Sequence, residues 1–86
     1  MPESTTDPAV ELVALIAKAL VDQPEAVDVR MSKGGKAGGV LELSVEESDL
    51  GKIIGKKGRT AKSIRTVLNS FGEKRKRRYA LDILEP

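Results

Sequence analysis

The sequence predicts an α+β fold: a three-stranded sheet with helices on one face, in the order helix, strand, strand, helix, helix, strand. Three observations carry this expectation. An amphipathic helical repeat opens the chain, two period-two apolar runs flank a glycine-rich stretch, and helix-forming sequence separates the second run from a third. A crossover long enough to hold two helices lets the second and third strands lie parallel.

Residues 1–6 read as a flexible polar tail and residues 7–86 as one domain, whose 86-residue chain leaves only a marginal core. Asp7 followed by Pro8 is a helix start, since Asp can cap free amides and Pro is pre-set for the first turn. Ala9, Val13, Ile16, Ala17 and Leu20 then recur at helical spacing, with Leu12 widening the stripe, and Pro24 stops the helix at about Asp22. Val27, Val29 and Met31 alternate with Asp28, Arg30 and Ser32, the mark of a half-buried strand. The stretch "GGKAGG" (Gly34–Gly39) reads as a flexible turn rather than regular structure, and Leu41, Leu43 and Val45 resume the alternation, which makes an antiparallel hairpin. Those glycines match neither a dinucleotide fingerprint nor a Walker loop.

Ser48 or Asp49 is placed to cap a short helix over Leu50–Ile54, which Gly55 and Gly58 end. A longer helix is expected from about Arg59 to Phe71, with Ile64, Val67, Leu68 and Phe71 on its apolar stripe and Gly72 as its stop. Tyr79, Leu81 and Ile83 alternate as the third strand.

The chain has no cysteine and no histidine. Disulfides, thiolate zinc sites and imidazole catalysis are thereby excluded, and no metal, cofactor or catalytic group is expected; the reading is not an enzyme. The opening "MPESTTDPAV" lacks the basic segment of a signal peptide, and the apolar run Val10–Val21 is broken by Glu11 and Lys18. A cytoplasmic protein without a membrane segment is expected.

The net charge of +2 conceals a strong asymmetry. Residues 1–51 carry four Lys/Arg against ten Asp/Glu, whereas residues 52–78 carry eleven against one. One side of such a molecule attracts a polyanion and the other does not.

The centre of the basic half is "DLGKIIGKKGRTAKSI" (Asp49 to Ile64). Gly55 and Gly58 let a ligand approach the backbone closely, because neither carries a Cβ. The turn opens into the Arg59 helix, whose free amides and dipole favour an anion. Lys56 and Lys57 add charge there, Lys52, Arg59 and Lys62 lie within about a turn, and Ile53 and Ile54 supply apolar surface. Phosphates beside flat apolar groups describe single-stranded nucleic acid. A bland reading competes at each position. Gly-x-x-Gly alone is a weak signal, one of Ile53 and Ile54 should be buried, and Ile64 lies on a core stripe.

"IIGKKGRTAKSI" resembles the signature of a KH domain, in which an isoleucine-rich helix leads into a Gly-x-x-Gly loop that clamps nucleic-acid backbone. The element order is similar to the type II KH arrangement, from about Asp7 to Leu84, and a lone domain of this size resembles the small bacterial KhpA family. The resemblance implies a single-stranded RNA-binding protein, an RNA chaperone or post-transcriptional regulator, with Ile54, Gly55, Lys56, Lys57, Gly58, Arg59, Lys52 and Lys62 on the RNA. It also implies an opposite groove wall from the second strand, around Leu43 to Val45, and a homodimer or a complex with the larger Jag-type KH protein KhpB. The tract Lys74–Arg78 has three readings: direct RNA contact, a contribution to the long-range field, which is favoured over it, or a guard on a strand edge. The competing class is a protein-interaction module whose basic face meets an acidic partner or an anionic surface.

Overall fold

The computed structural model describes residues 7–35 and 38–85. The polar tail 1–6 and the centre of the glycine stretch, residues 36 and 37, lie outside the described residues.

Helix α1 spans Pro8–Leu20 and starts as its sequence dictates: the Asp7 carboxylate accepts the Ala9 N–H at 2.8 Å, with Pro8 in the first turn. It ends at Leu20, two residues before Asp22, with Val21 as its C-cap, and a 3₁₀ turn over Pro24–Ala26 leads into the sheet. Strands β1 (Asp28–Gly35) and β2 (Gly38–Ser44) pair antiparallel, with Val29 opposite Leu43 and Met31 opposite Leu41. The expectation that Gly34–Gly39 sustains no regular structure is corrected here. Gly34 and Gly35 belong to β1, Gly38 and Gly39 to β2, and Gly35 pairs with Gly38. A Cβ on Gly38 would strike the Arg78 carbonyl, so a bare backbone is what lets the neighbouring strand enter.

After a 3₁₀ turn at Glu47–Asp49 come α2 (Leu50–Ile54), α3 (Arg59–Lys74) and β3 (Arg78–Ile83). Strand β3 lies parallel to β2, and the order β1-β2-β3 leaves β3 at an edge. Asp49 does occupy the position before α2 but makes no capping hydrogen bond there; its carboxylate turns instead to the backbone of Asp22 and Gln23.

Helix α3 runs through the expected stop. Gly72 is buried inside it, and the turn comes at Lys76, which takes a left-handed φ of 57°. The Arg77 N–H reaches the Gly72 carbonyl at 2.8 Å and the Lys76 N–H reaches that of Glu73 at 3.1 Å, the paired bonds of a Schellman ending.

The core lies between the helices and one sheet face. Ala9, Val13 and Ala17 meet Leu41 and Leu43 from the sheet, with Ile53, Ile64, Leu68, Tyr79 and Leu81 completing it. Each fully buried Leu or Ile here contributes about 1.5–3 kcal/mol relative to exposure. Two stripe residues fall outside: Leu20 and Val67 are 39% and 46% exposed, beside a shared depression between α1 and α3. Among the described residues no helix is long and apolar enough to cross a membrane.

Candidate nucleic-acid interface

Helix α2 closes with the Gly55 N–H on the Gly51 carbonyl at 2.8 Å. Gly55 then takes φ 77°, Lys57 φ 56° and Gly58 φ 76°, so the loop between the helices runs mostly through left-handed backbone. Such a conformation costs a non-glycine residue about 1–2 kcal/mol, and Lys57 accepts it. At Gly55 a Cβ would strike the Thr60 hydroxyl, whereas nothing lies within 4 Å of the place a Gly58 Cβ would occupy. The first glycine is tied down by its own fold; the second faces open space. Gly58 is also the residue before the 16-residue α3 and offers no side-chain cap; the Arg59 N–H is taken by the Lys56 carbonyl, and the positive end of the helix dipole still favours an anion here.

Lys56, Lys57, Arg59 and Lys62 are exposed around this point. Ile53 is fully buried and Ile54 half-buried, so only Ile54 faces outward. Ile64 is core. Lys52 is drawn away: its ammonium lies 2.9 Å from Asp22 Oδ2 and 3.3 Å from Asp49 Oδ1. Asp22, then Asp49, hold its pKa above the usual lysine value, and its charge is already engaged on the side of the domain where α1 ends.

A depression beside the loop is lined by Ile54, Gly58, Ala61 and Arg65 on the helical side. Its other wall is Asp82, Ile83 and Glu85 at the end of β3, which corrects the expected wall at Leu43 to Val45. The reason is topological. Strand β2 is central, with a neighbour on each side and Leu43 pointing into the core, while β3 follows α3 and keeps a free edge. Arg65 bridges the two walls, its Nε and Nη2 both donating to the Leu81 carbonyl at 3.4 Å. Two of its five N–H groups are thus spent on the edge strand, and the rest remain for a ligand. Sequence reasoning missed Arg65, although Gly58, Ala61 and Arg65 stand at helical spacing and share a face.

The basic tract is less free than its composition implies. Arg75 lies over the Phe71 ring at 5.3 Å, and Arg77 pairs with Asp7 at 3.2 Å beside the Tyr79 hydroxyl, which donates to the same carboxylate.

Comparison with known proteins agrees with this geometry. A family model described as KhpA/KhpB, KH domain, matches residues 10–83. The chain is 45% identical over 76 residues to RNA-binding protein KhpA of Borreliella burgdorferi, covering 88% of this chain and 92% of the relative. It is 49% identical over 75 residues to RNA-binding protein KhpA of Halalkalibacterium halodurans, covering 86% and 96%. Among solved structures it resembles a crystal structure of Era in complex with MgGDPNP and nucleotides 1506–1542 of 16S ribosomal RNA, with a TM-score of 0.60 and 24% identity. That match covers 96% of this chain and 35% of the Era chain, and it bears on the fold alone.

Proposed function

The chain belongs to the KhpA/KhpB KH-domain family, and we propose that it binds single-stranded RNA by clamping sugar-phosphate backbone on the Gly55–Gly58 loop. The observation that carries this reading is the loop itself: an open Gly58 directly before the N-terminus of α3, flanked by exposed Lys56, Lys57 and Arg59. Ile54 and Ala61 supply apolar surface beneath a base, and the β3 edge closes the groove. The names of the relatives support RNA as the ligand. In the cell such a clamp acts as an RNA chaperone or post-transcriptional regulator in the cytoplasm.

Replacing Lys56 and Lys57 together with Asp tests the clamp. Both are exposed, and surface changes of this kind move stability by only about 0.5 kcal/mol, so the variant should melt like the parent. Fluorescence anisotropy with a short unstructured RNA should show binding abolished, with an acidic peptide as the competing ligand. A normally folded variant that still binds RNA like the parent would reduce the loop to a connection between helices.

One groove reads only about four nucleotides, so pairing two grooves raises affinity through effective concentration. A second copy or a KhpB-type KH protein is the proposed partner. An apolar strip formed by Ile16, Leu20, Ile64 and Val67 between α1 and α3 supports a face for this contact.

A further inference from the structure

We propose that the RNA path does not end at the loop but continues along the seam between α3 and the β3 edge to a second backbone-binding point at Asn69 and Arg78. The inference rests on the RNA reading above and assigns that site an additional, distal part.

The seam is a row of three depressions that share residues. Arg65 lines both the one beside the loop and the next; Asn69 and Tyr79 line both that one and the last, which also takes in Glu73, Arg77 and Arg78. Because β3 is an edge strand, no further strand among the described residues covers the seam. From Ile83 back to Arg78 is five residues of strand, about 17 Å at roughly 3.3 Å per residue. The Gly-x-x-Gly clamp takes about four nucleotides, at the loop end of this seam. A ligand confined to the loop groove leaves the far depression empty, and an RNA of six or more nucleotides reaches it.

The chemistry at the far end suits a phosphate rather than a base. Tyr79 is buried with its hydroxyl on Asp7, so it offers no stacking face. Arg77 is committed to the same aspartate. Arg78 is exposed and remains the cation for the ligand, with the Asn69 amide as a second donor on the opposite wall. Glu73 shares this depression, and Arg78 has to outweigh it. The distal contact is therefore sequence-tolerant and sensitive to the charge at two positions.

The test uses the full chain, with labelled unstructured RNAs of four and eight nucleotides in two base compositions. Longer RNA gains a few-fold from register statistics with any variant, so the readout is the difference between proteins on the same RNA. Arg78→Ala should weaken the eight-nucleotide RNA about tenfold, the equivalent of one charge-assisted hydrogen bond, and leave the four-nucleotide RNA unchanged. Glu73→Gln should tighten only the longer RNA, which keeps the test decisive should Arg78→Ala melt early. Equal weakening of both lengths by Arg78→Ala would assign Arg78 to the general field and overturn the distal site. So would no effect of either variant on the longer RNA. Retained four-nucleotide binding in those cases would leave the loop clamp standing, whereas no binding at either length would sink both.

Discussion

Lys52 Nζ stands 3.3 Å from Asp49 Oδ1, at a carboxylate that is only 1% exposed. The same carboxylate accepts the backbone N–H of Asp22 at 3.2 Å and of Gln23 at 3.0 Å. One buried side chain thereby fastens the segment after α1 to the start of α2, the helix that leads into the loop. Burial by itself raises the Asp49 pKa, but the two backbone donors and Lys52 override it and hold the carboxyl below the ordinary aspartate value.

Asp49→Asn should therefore lower the melting temperature at pH 7, because it leaves backbone donors facing an amide that can satisfy them only in part. A depressed folded-state pKa means that the contribution is complete above the unfolded value, about 3.9, and is lost as pH falls below it. The gap between parent and variant should narrow in melts at pH 3. An equal gap at both pH values would mean that Asp49 acts through shape alone.

Gly72→Ala should destabilise the domain although alanine is the better helix former. Propensity alone favours the change by about 1 kcal/mol. A Cβ there would lie 2.6 Å from the Arg77 carbonyl oxygen and 3.1 Å from the Tyr79 ring, where the chain folds back against its own helix. Overpacking of this kind costs about 1–3 kcal/mol, so the net sign is unfavourable. A variant that melts higher than the parent would show that the Arg77 backbone can shift to accommodate it.

Gly72 also marks where the sequence is legible and where it is not. The six elements, the parallel crossover and the buried Ile64 and Leu68 follow from period and turn chemistry, which are local properties, whereas period leaves open which of Ile53 and Ile54 is buried. A glycine at the end of an apolar stripe carries the same local signature whether it stops a helix or admits a neighbour, and here it admits Tyr79. Asp49 fails for the same reason: it stands at a capping position, yet its partners lie 26 and 27 residues back in the chain. Within the site, the Gly-Lys-Lys-Gly loop is a contiguous string and can be read directly. Arg65 and the Asp82–Ile83 wall come together only because β3 takes the edge beside α3, and an ion pair with Asp22 diverts Lys52 at a distance no spacing rule encodes.

Val67→Lys should weaken self-association while preserving the fold. Val67 is 46% exposed on a long helix and faces the apolar strip with Ile16 and Leu20, so it contributes little to the monomer core. A charge in the centre of an apolar contact is desolvated on pairing and opposes it. Light scattering across a concentration series should find the parent heavier than the variant. A parent that stays monomeric throughout, with no KH-type partner recovered from cells, would remove the paired-groove account.

Arg65 should prove part of the RNA clamp rather than only a strut between helix and edge strand. If the loop and its surroundings neutralise about three phosphates, log Kd should change with log salt at a slope of magnitude near 2, from roughly 0.7 per contact on a single strand. Arg65→Ala removes one such contact, so binding should weaken and the slope should become shallower by about 0.7. Arg65→Lys separates the two roles. It keeps the charge and loses the forked donation to the Leu81 carbonyl, so it should restore most of the salt slope without restoring all of the affinity. A purely structural Arg65 predicts the reverse: a lowered melting temperature in both variants and a slope that neither one changes.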